Sequence, residues 1–284
     1  FTVGFCGDSK ASPREKGRIA AKDVKDHAPD PFRAFIMFPD VLTANGAEIV
    51  RGALDILGPH FPLVGGAAGD DFRFEKTYQY YNDHVIEDSV TAVGMSGPFS
   101  LGIGVRHGWV PIGTPRRVTK STGSVVYELD GMPAISIYEE YFGRKADDMR
   151  KEPLAQLAIT YPLGIKVSDA EEYLIRDPIT VDGKGAITCA AEIPEGSEVR
   201  LMIGSKEKAI DAAQDAARHM MADFALLKSS PKFALMFNCI AREKLFGARA
   251  KQEIDAVMDI IGRDVPLLGF YTYGEQAPSG GETQ

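Results

Sequence analysis

The sequence predicts an α/β protein of two pseudo-symmetric halves, each a βαβαβ unit with a mainly parallel sheet plus an antiparallel β-meander. Three observations carry this. Residues 61–71 (FPLVGGAAGDD) repeat the layout of residues 265–275 (VPLLGFYTYGE) without a gap. The same register carried upstream pairs Val50, Ala53, Leu54 and Leu57 with Ile254, Val257, Met258 and Ile261, each set at the i, i+3, i+4, i+7 spacing of one helix face. Residues 34–38 (AFIMF) resemble residues 233–237 (FALMF), both short apolar runs of strand length that follow a proline, Pro31 or Pro231. Each copy therefore reads strand, helix, strand, loop, with Gly58 and Gly262 where the helices end. A strand, crossover helix and second strand make a right-handed parallel unit, so both loops leave the carboxyl ends of parallel strands, where open sheets bind ligands.

Taken in order, residues 1–6 alternate as a strand and residues 14–26 carry Ile19, Ala20 and Val24 on a helical stripe. After the first repeat the texture turns β-rich at residues 77–81, 90–95, 100–106, 116–120 and 124–128, an expected antiparallel meander. Residues 129–143 read as a turn and a helix with Pro133 in its first turn and Ile137 and Tyr141 on one face. A polar helix is expected over residues 146–158, then strands at 173–176, 186–190 and 199–203 with turns at Asp182-Gly183 and Glu195-Gly196, the meander's counterpart. Residues 206–227 form the strongest helix, with Ile210, Ala213, Ala217, Met220 and Phe224 inward, and the last strand, helix, strand unit follows.

Composition narrows the function. With 44% apolar and 25% charged residues the chain reads as globular, and no apolar run approaches the roughly 20 residues of a membrane span. A net charge of -8 without a dense basic stripe argues against nucleic acid as a partner. Cys6, Cys189 and Cys239 are far apart and show no CxxC spacing, which fits a reducing compartment and a cytoplasmic protein. Phe1 begins inside a strand and Gln284 ends a polar run, so the chain is expected to be part of a longer product or to have lost its ends.

The run GWVPIGTPRRVT (residues 108–119) with VYELDGMPAISIYEEYFG resembles the amino-terminal FIST domain. YLIRDPITVD, IPEGSEVRLM, FNCIAREKLFG and PLLGFYTYGE resemble its carboxyl-terminal partner. The resemblance implies an amino-terminal domain over residues 1–130 and a carboxyl-terminal one over residues 131–284, together a cytoplasmic small-ligand sensory module rather than an enzyme. It implies a separate signal-output protein or domain, such as a kinase or cyclic-dinucleotide enzyme, and none is present in this sequence. A subset of such modules resembles a nitric-oxide-responsive haem sensor with a histidine iron ligand, which makes haem the alternative cofactor.

The candidate residues lie in and beside the repeated loops. Gly65, Gly66 and Gly69, followed by Asp70 and Asp71, could bring backbone N–H groups close to an anion, or simply form a tight strand exit with capping aspartates. In the sister loop Tyr271, Tyr273 and Glu275 offer two amphipathic rings and a carboxylate, suited to a small amine or amino acid. Cys239 and Arg242 follow the preceding strand and match the family's C-x-x-R run, where the arginine would fork onto a ligand carboxylate. His107, beside Trp109, is the candidate haem ligand. The leading function is therefore a sensory module that binds an amino acid or related anion between the duplicated halves. The alternatives are a haem-based nitric oxide sensor and, behind it, a hydrolase with Asp70 or Asp71 as base. Gly102-Ile103-Gly104 sits in an alternating run and is no dinucleotide fingerprint.

Overall fold

The structure is a computed structural model that describes residues 1–143, 157, 159–166, 173–279 and 282–283. It is mixed α/β with both parallel and antiparallel strands. Its first elements are β1 (Thr2–Cys6), α1 (Pro13–His27), β2 (Phe32–Pro39), α2 (Gly46–Leu57), β3 (Leu63–Gly66), β4 (Gln79–Tyr81), β5 (His84–Ile86) and β6 (Val90–Ser96). Then come β7 (Val110–Thr122), β8 (Val125–Leu129), β9 (Met132–Pro133), α3 (Ser136–Phe142), β10 (Leu163–Lys166), β11 (Tyr173–Arg176), β12 (Pro178–Val181), β13 (Ile187–Cys189) and β14 (Glu198–Ile203). The last are α4 (Lys206–Leu226), β15 (Ala234–Cys239), α5 (Ile240–Phe246), α6 (Ala250–Ile261), β16 (Leu267–Thr272) and β17 (Glu275–Gln276). By contact the chain divides into two compact units, residues 1–105, 213–243 and 247–284 in the first and residues 106–212 and 244–246 in the second.

The first unit holds a sheet in the order β1-β6-β2-β3-β17, in which β2 and β3 are parallel and β6 runs antiparallel between β1 and β2. Phe35, Met37 and Leu63 on one face pack under α1 and α2, while Ala34, Ile36 and Phe38 face the other way with Phe237. The helices start where capping chemistry allows. Ser12 Oγ accepts from Glu15 N with Pro13 in the first turn, and Asn45 Oδ1 accepts from Ala47 N and Glu48 N. Gly58 (φ 102°) and Gly262 (φ 104°) end α2 and α6 as the repeat predicts. Strands β15 and β16 pair in parallel, with Ala234, Met236 and Leu267 packed against Ala213, Ala217, Val257 and Ile261 of α4 and α6.

The second unit holds an eight-stranded sheet ordered β11-β10-β14-β7-β8-β13-β12, with β9 paired to β8, antiparallel throughout. Its core joins Val118, Val126, Leu163, Ile187 and Leu201 to Ile137 and Tyr138 of α3.

Several expectations are corrected. The described strands do not group into two equivalent βαβαβ halves with a meander each. β6 is apolar on both faces, with Val90 and Ala92 in one cluster and Val93 and Met95 in another, so it takes a central place in the first sheet instead of a half-exposed meander. β7 and β8 join β10 to β14 in one sheet, so the meander and its counterpart are a single structure. Residues 100–106 form no strand. A Cβ on Gly102 would lie 2.4 Å from Met220 O and one on Gly104 1.8 Å from Ala216 O, so these glycines lay irregular backbone along α4. Pro133 belongs to β9, and α3 turns Ile137 and Tyr138 inward while Tyr141 stays exposed. On α1, Ala21 is buried in place of Ile19, and on α6, Glu253 is buried in place of Ile254. The helix expected over residues 146–158 lies, Leu157 aside, outside the described residues.

Candidate functional site

The two repeated loops meet in the first unit. Glu275 and Gln276 of β17 pair with Gly66 and Gly65 of β3, Ala67 N donates to Gly274 O at 2.8 Å, and Tyr273 N donates to Ala67 O at 3.2 Å. The glycines of the first loop answer to this close approach. A Cβ on Gly65 would lie 2.0 Å from Met37 O, one on Gly66 2.4 Å from Thr272 Cγ2, and one on Gly69 3.2 Å from the Tyr273 ring. None of the three is at positive φ, so they serve backbone contact rather than an anion cradle of left-handed turns.

Asp70 is the centre of the joint. Its carboxylate accepts from Phe74 N (2.9 Å), Glu75 N (2.8 Å) and Lys76 N (2.9 Å), and from the Tyr273 hydroxyl. Tyr273 Oη in turn accepts from Phe72 N at 2.7 Å, and the Tyr273 ring stacks on Phe74 with centroids 4.7 Å apart. Burial opposes ionisation of Asp70, but these hydrogen bonds from Tyr273, Lys76, Glu75 and Phe74 outweigh it and hold the carboxyl down at about 2. A carboxylate so acidic and so fully engaged is a poor general base. Asp71 is exposed at φ 59°, and Glu275 accepts from Thr272 Oγ1 of its own turn.

A second cluster lies on β15, α5 and α6. Arg242, which the sequence suggested for a ligand carboxylate, pairs with the chain's own Glu253: Nε donates to Oε1 at 2.7 Å and an Nη donates to the same oxygen. Asn238 Nδ2 donates to Glu253 Oε2 at 2.6 Å, so both carboxylate oxygens are engaged. Glu253 is fully buried and the Arg242 side chain is 5% exposed. The sequence reading missed Asn238 and Glu253, although a signal existed for the latter. In the repeat register Glu253 matches Ile49, a core residue of α2, and a carboxylate at a core position calls for a buried partner.

Tyr271 stands opposite Asn238 in the β15–β16 register. Its hydroxyl is buried and has no hydrogen-bond partner among the described residues. Burial, and then the charges of Glu253 and Glu243 against the opposing pull of Arg242, push its pKa up, so the group stays a neutral phenol. Cys239, half-buried, lies next to Asn238 at the end of β15, opposite Thr272. The candidates thus form two groups, one where β3 meets β17 and one on β15, β16, α5 and α6. Gly65, Gly66, Gly69, Asp70 and Asp71 join Tyr273 and Glu275, while Cys239, Arg242 and Tyr271 join Asn238 and Glu253.

His107 belongs to the second unit, in the irregular chain before β7. Its Nδ1 accepts from Trp109 N at 2.9 Å. In the neutral ring the proton then sits on Nε2, the reverse of an iron-binding imidazole, which donates from Nδ1 and binds through Nε2. Among the described residues no group of three or more His, Cys, Asp or Glu could hold a metal ion, and no helix is long and apolar enough to cross a membrane.

These features define a mixed α/β protein in which Asp70 binds Tyr273, and Glu253 binds Arg242 and Asn238. Residues 1–132 match the FIST N domain and residues 134–278 the FIST C domain, so the chain belongs to the FIST family. FIST domains are generally described as small-ligand sensory domains, and the family is not an enzymatic one. The chain is 30% identical over 217 residues to an uncharacterised protein of Methanocaldococcus jannaschii, covering 72% of this chain and 41% of that one. It is 27% identical over 227 residues to one of Mycobacterium tuberculosis, covering 78% and 58%. It is 25% identical over 265 residues to one of Mycobacterium bovis, covering 92% and 64%. The chain therefore spans less than two thirds of the length of each of these relatives.

Proposed function

We propose that this chain is a cytoplasmic sensory module that binds a small ligand, an amino acid or related anion, where the two repeated motifs meet, and signals to a separate output such as a kinase or cyclic-dinucleotide enzyme. The observation that carries this reading is the buried Tyr271 hydroxyl, which has no partner among the described residues and stands beside the Arg242–Glu253–Asn238 group. A buried polar group left unsatisfied costs free energy, and native proteins supply such groups with a partner, an ordered water or a ligand. A protonated phenol offers one donor and an acceptor, which suits a carboxylate, a carbonyl or an ammonium group. No observation favours the haem alternative.

The test is a thermal-shift screen of the purified chain against the amino acids and small carboxylates, followed by calorimetric titration of any compound that shifts the transition. Tyr271→Phe removes only the hydroxyl, so it leaves the ligand-free melting temperature near wild type and weakens binding by about tenfold or more. A Tyr271→Phe variant that binds the same compound with unchanged affinity would sink this placement.

A further inference from the structure

Three non-glycine residues in one short loop hold left-handed backbone: Asp71 at φ 59°, Phe72 at φ 69° and Phe74 at φ 54°. Aspartate tolerates this region, but a bulky aromatic rarely enters it, so surrounding bonds must hold the loop there. Those bonds converge on two side chains. Asp70 accepts from the backbone N–H of Phe74, Glu75 and Lys76, and Tyr273 both donates to Asp70 and accepts from Phe72 N. The Phe74 ring, partly exposed, stacks on Tyr273, and Phe72 meets Phe74 edge-on at 5.4 Å. Only Tyr273 is remote in sequence, and it follows β16 directly, two residues after Tyr271.

We propose that residues 70–76 form a strained strap latched by Tyr273, and that movement of the β16 end unlatches it, so that the strap is the element through which the Tyr271 site reports its occupancy. The reporting role rests on the sensory reading above; the latch itself does not. Withdrawing the Tyr273 hydroxyl takes one hydrogen bond from Asp70 and one from Phe72 N at once. The three left-handed residues then keep the Phe74 stacking but lose the hydrogen bonds to Tyr273, and they relax toward ordinary backbone.

Hydrogen exchange of the ligand-free chain, read on peptides, tests the latch. Tyr273→Phe keeps the ring against Phe74 and deletes both hydrogen bonds, so amides in residues 70–77 exchange about tenfold faster while α1, α2 and β2 keep their wild-type rates. Asp70→Ala, which removes the acceptor of Phe74 N, Glu75 N, Lys76 N and the Tyr273 hydroxyl, accelerates the same peptide at least as much. Unchanged exchange in Tyr273→Phe, or an equal rise across the whole first unit, would overturn the strap. Because no ligand is present, a negative thermal-shift screen leaves the latch standing and removes only its reporting role, and a failed latch leaves Tyr271 binding untouched.

Discussion

Glu253 is a carboxylate on the packed face of α6, and its free energy depends wholly on Arg242 and Asn238. Both charges are buried, so the pairing offsets the cost of taking them out of water. Glu253→Gln leaves the guanidinium buried without its counter-charge and should cost about 3–5 kcal/mol in urea unfolding. A paired Arg242→Met, Glu253→Leu replacement removes both charges together and should cost far less, since apolar groups of similar volume often replace a buried pair with little loss. If the single and double variants lose equal stability, the pair contributes through side-chain shape and not through charge. Tyr273 shows the same dependence at lower stakes: one oxygen serves both Asp70 and Phe72 N, which is why a hydroxyl deletion is a local probe.

At the scale of elements, the contact between α1 and α2 is set by two glycines. A Cβ on Gly17 would lie 2.0 Å from Ile49 O, and one on Gly52 1.9 Å from Arg14 O, so the helix backbones touch where side chains would otherwise hold them apart. Gly52→Ala improves helix propensity, but the clash is with backbone that cannot swing away, and overpacking of this kind costs about 1–3 kcal/mol. The denaturant midpoint should fall with an unchanged slope, and a rise would show that the helices separate freely. Such contacts explain what sequence could and could not reveal. The helices α1, α2, α4 and α6 were legible because caps, glycine ends and apolar stripes act within one element. The places of β6, inserted between β1 and β2, and of Gly102 and Gly104, laid against α4, depend on partners more than fifty residues away. The joint was half legible. The repeat brought residues 61–71 and 265–275 together on the page, and Glu253 marked itself by standing where the other copy has Ile49, but only contact identifies Tyr273 as the partner of Asp70.

At the scale of the whole molecule, one aspartate in each unit stands out, and the two shifts carry opposite signs for stability against pH. In the first, Asp70 is held at about 2, below the 3.8 of an ordinary aspartate, so its contribution is present above that ordinary value and is lost as pH falls through 2. In the second, burial pushes Asp177 up to about 6, with Arg176 pulling the other way. Its neighbours do not titrate in that range: burial, with Asp177 adding to it, pushes the Cys189 thiol up to about 12, and Tyr138 is raised too. The folded chain therefore binds a proton at Asp177 more tightly than the unfolded chain does, and the stability this group contributes is fully present below 3.8 and is lost as pH rises through 6. The full shift corresponds to no more than about 3 kcal/mol, and because the residue is only half-buried a realistic loss is about 1–2 kcal/mol. Asp177→Asn keeps the size of the side chain and cannot ionise, so the melting temperature of the variant should fall less between pH 4 and 6.5 than that of wild type. A wild-type melting temperature that is flat over that interval, or an Asn variant that declines in parallel with it, would show that the carboxyl is already charged in the folded chain and that solvent reaches it.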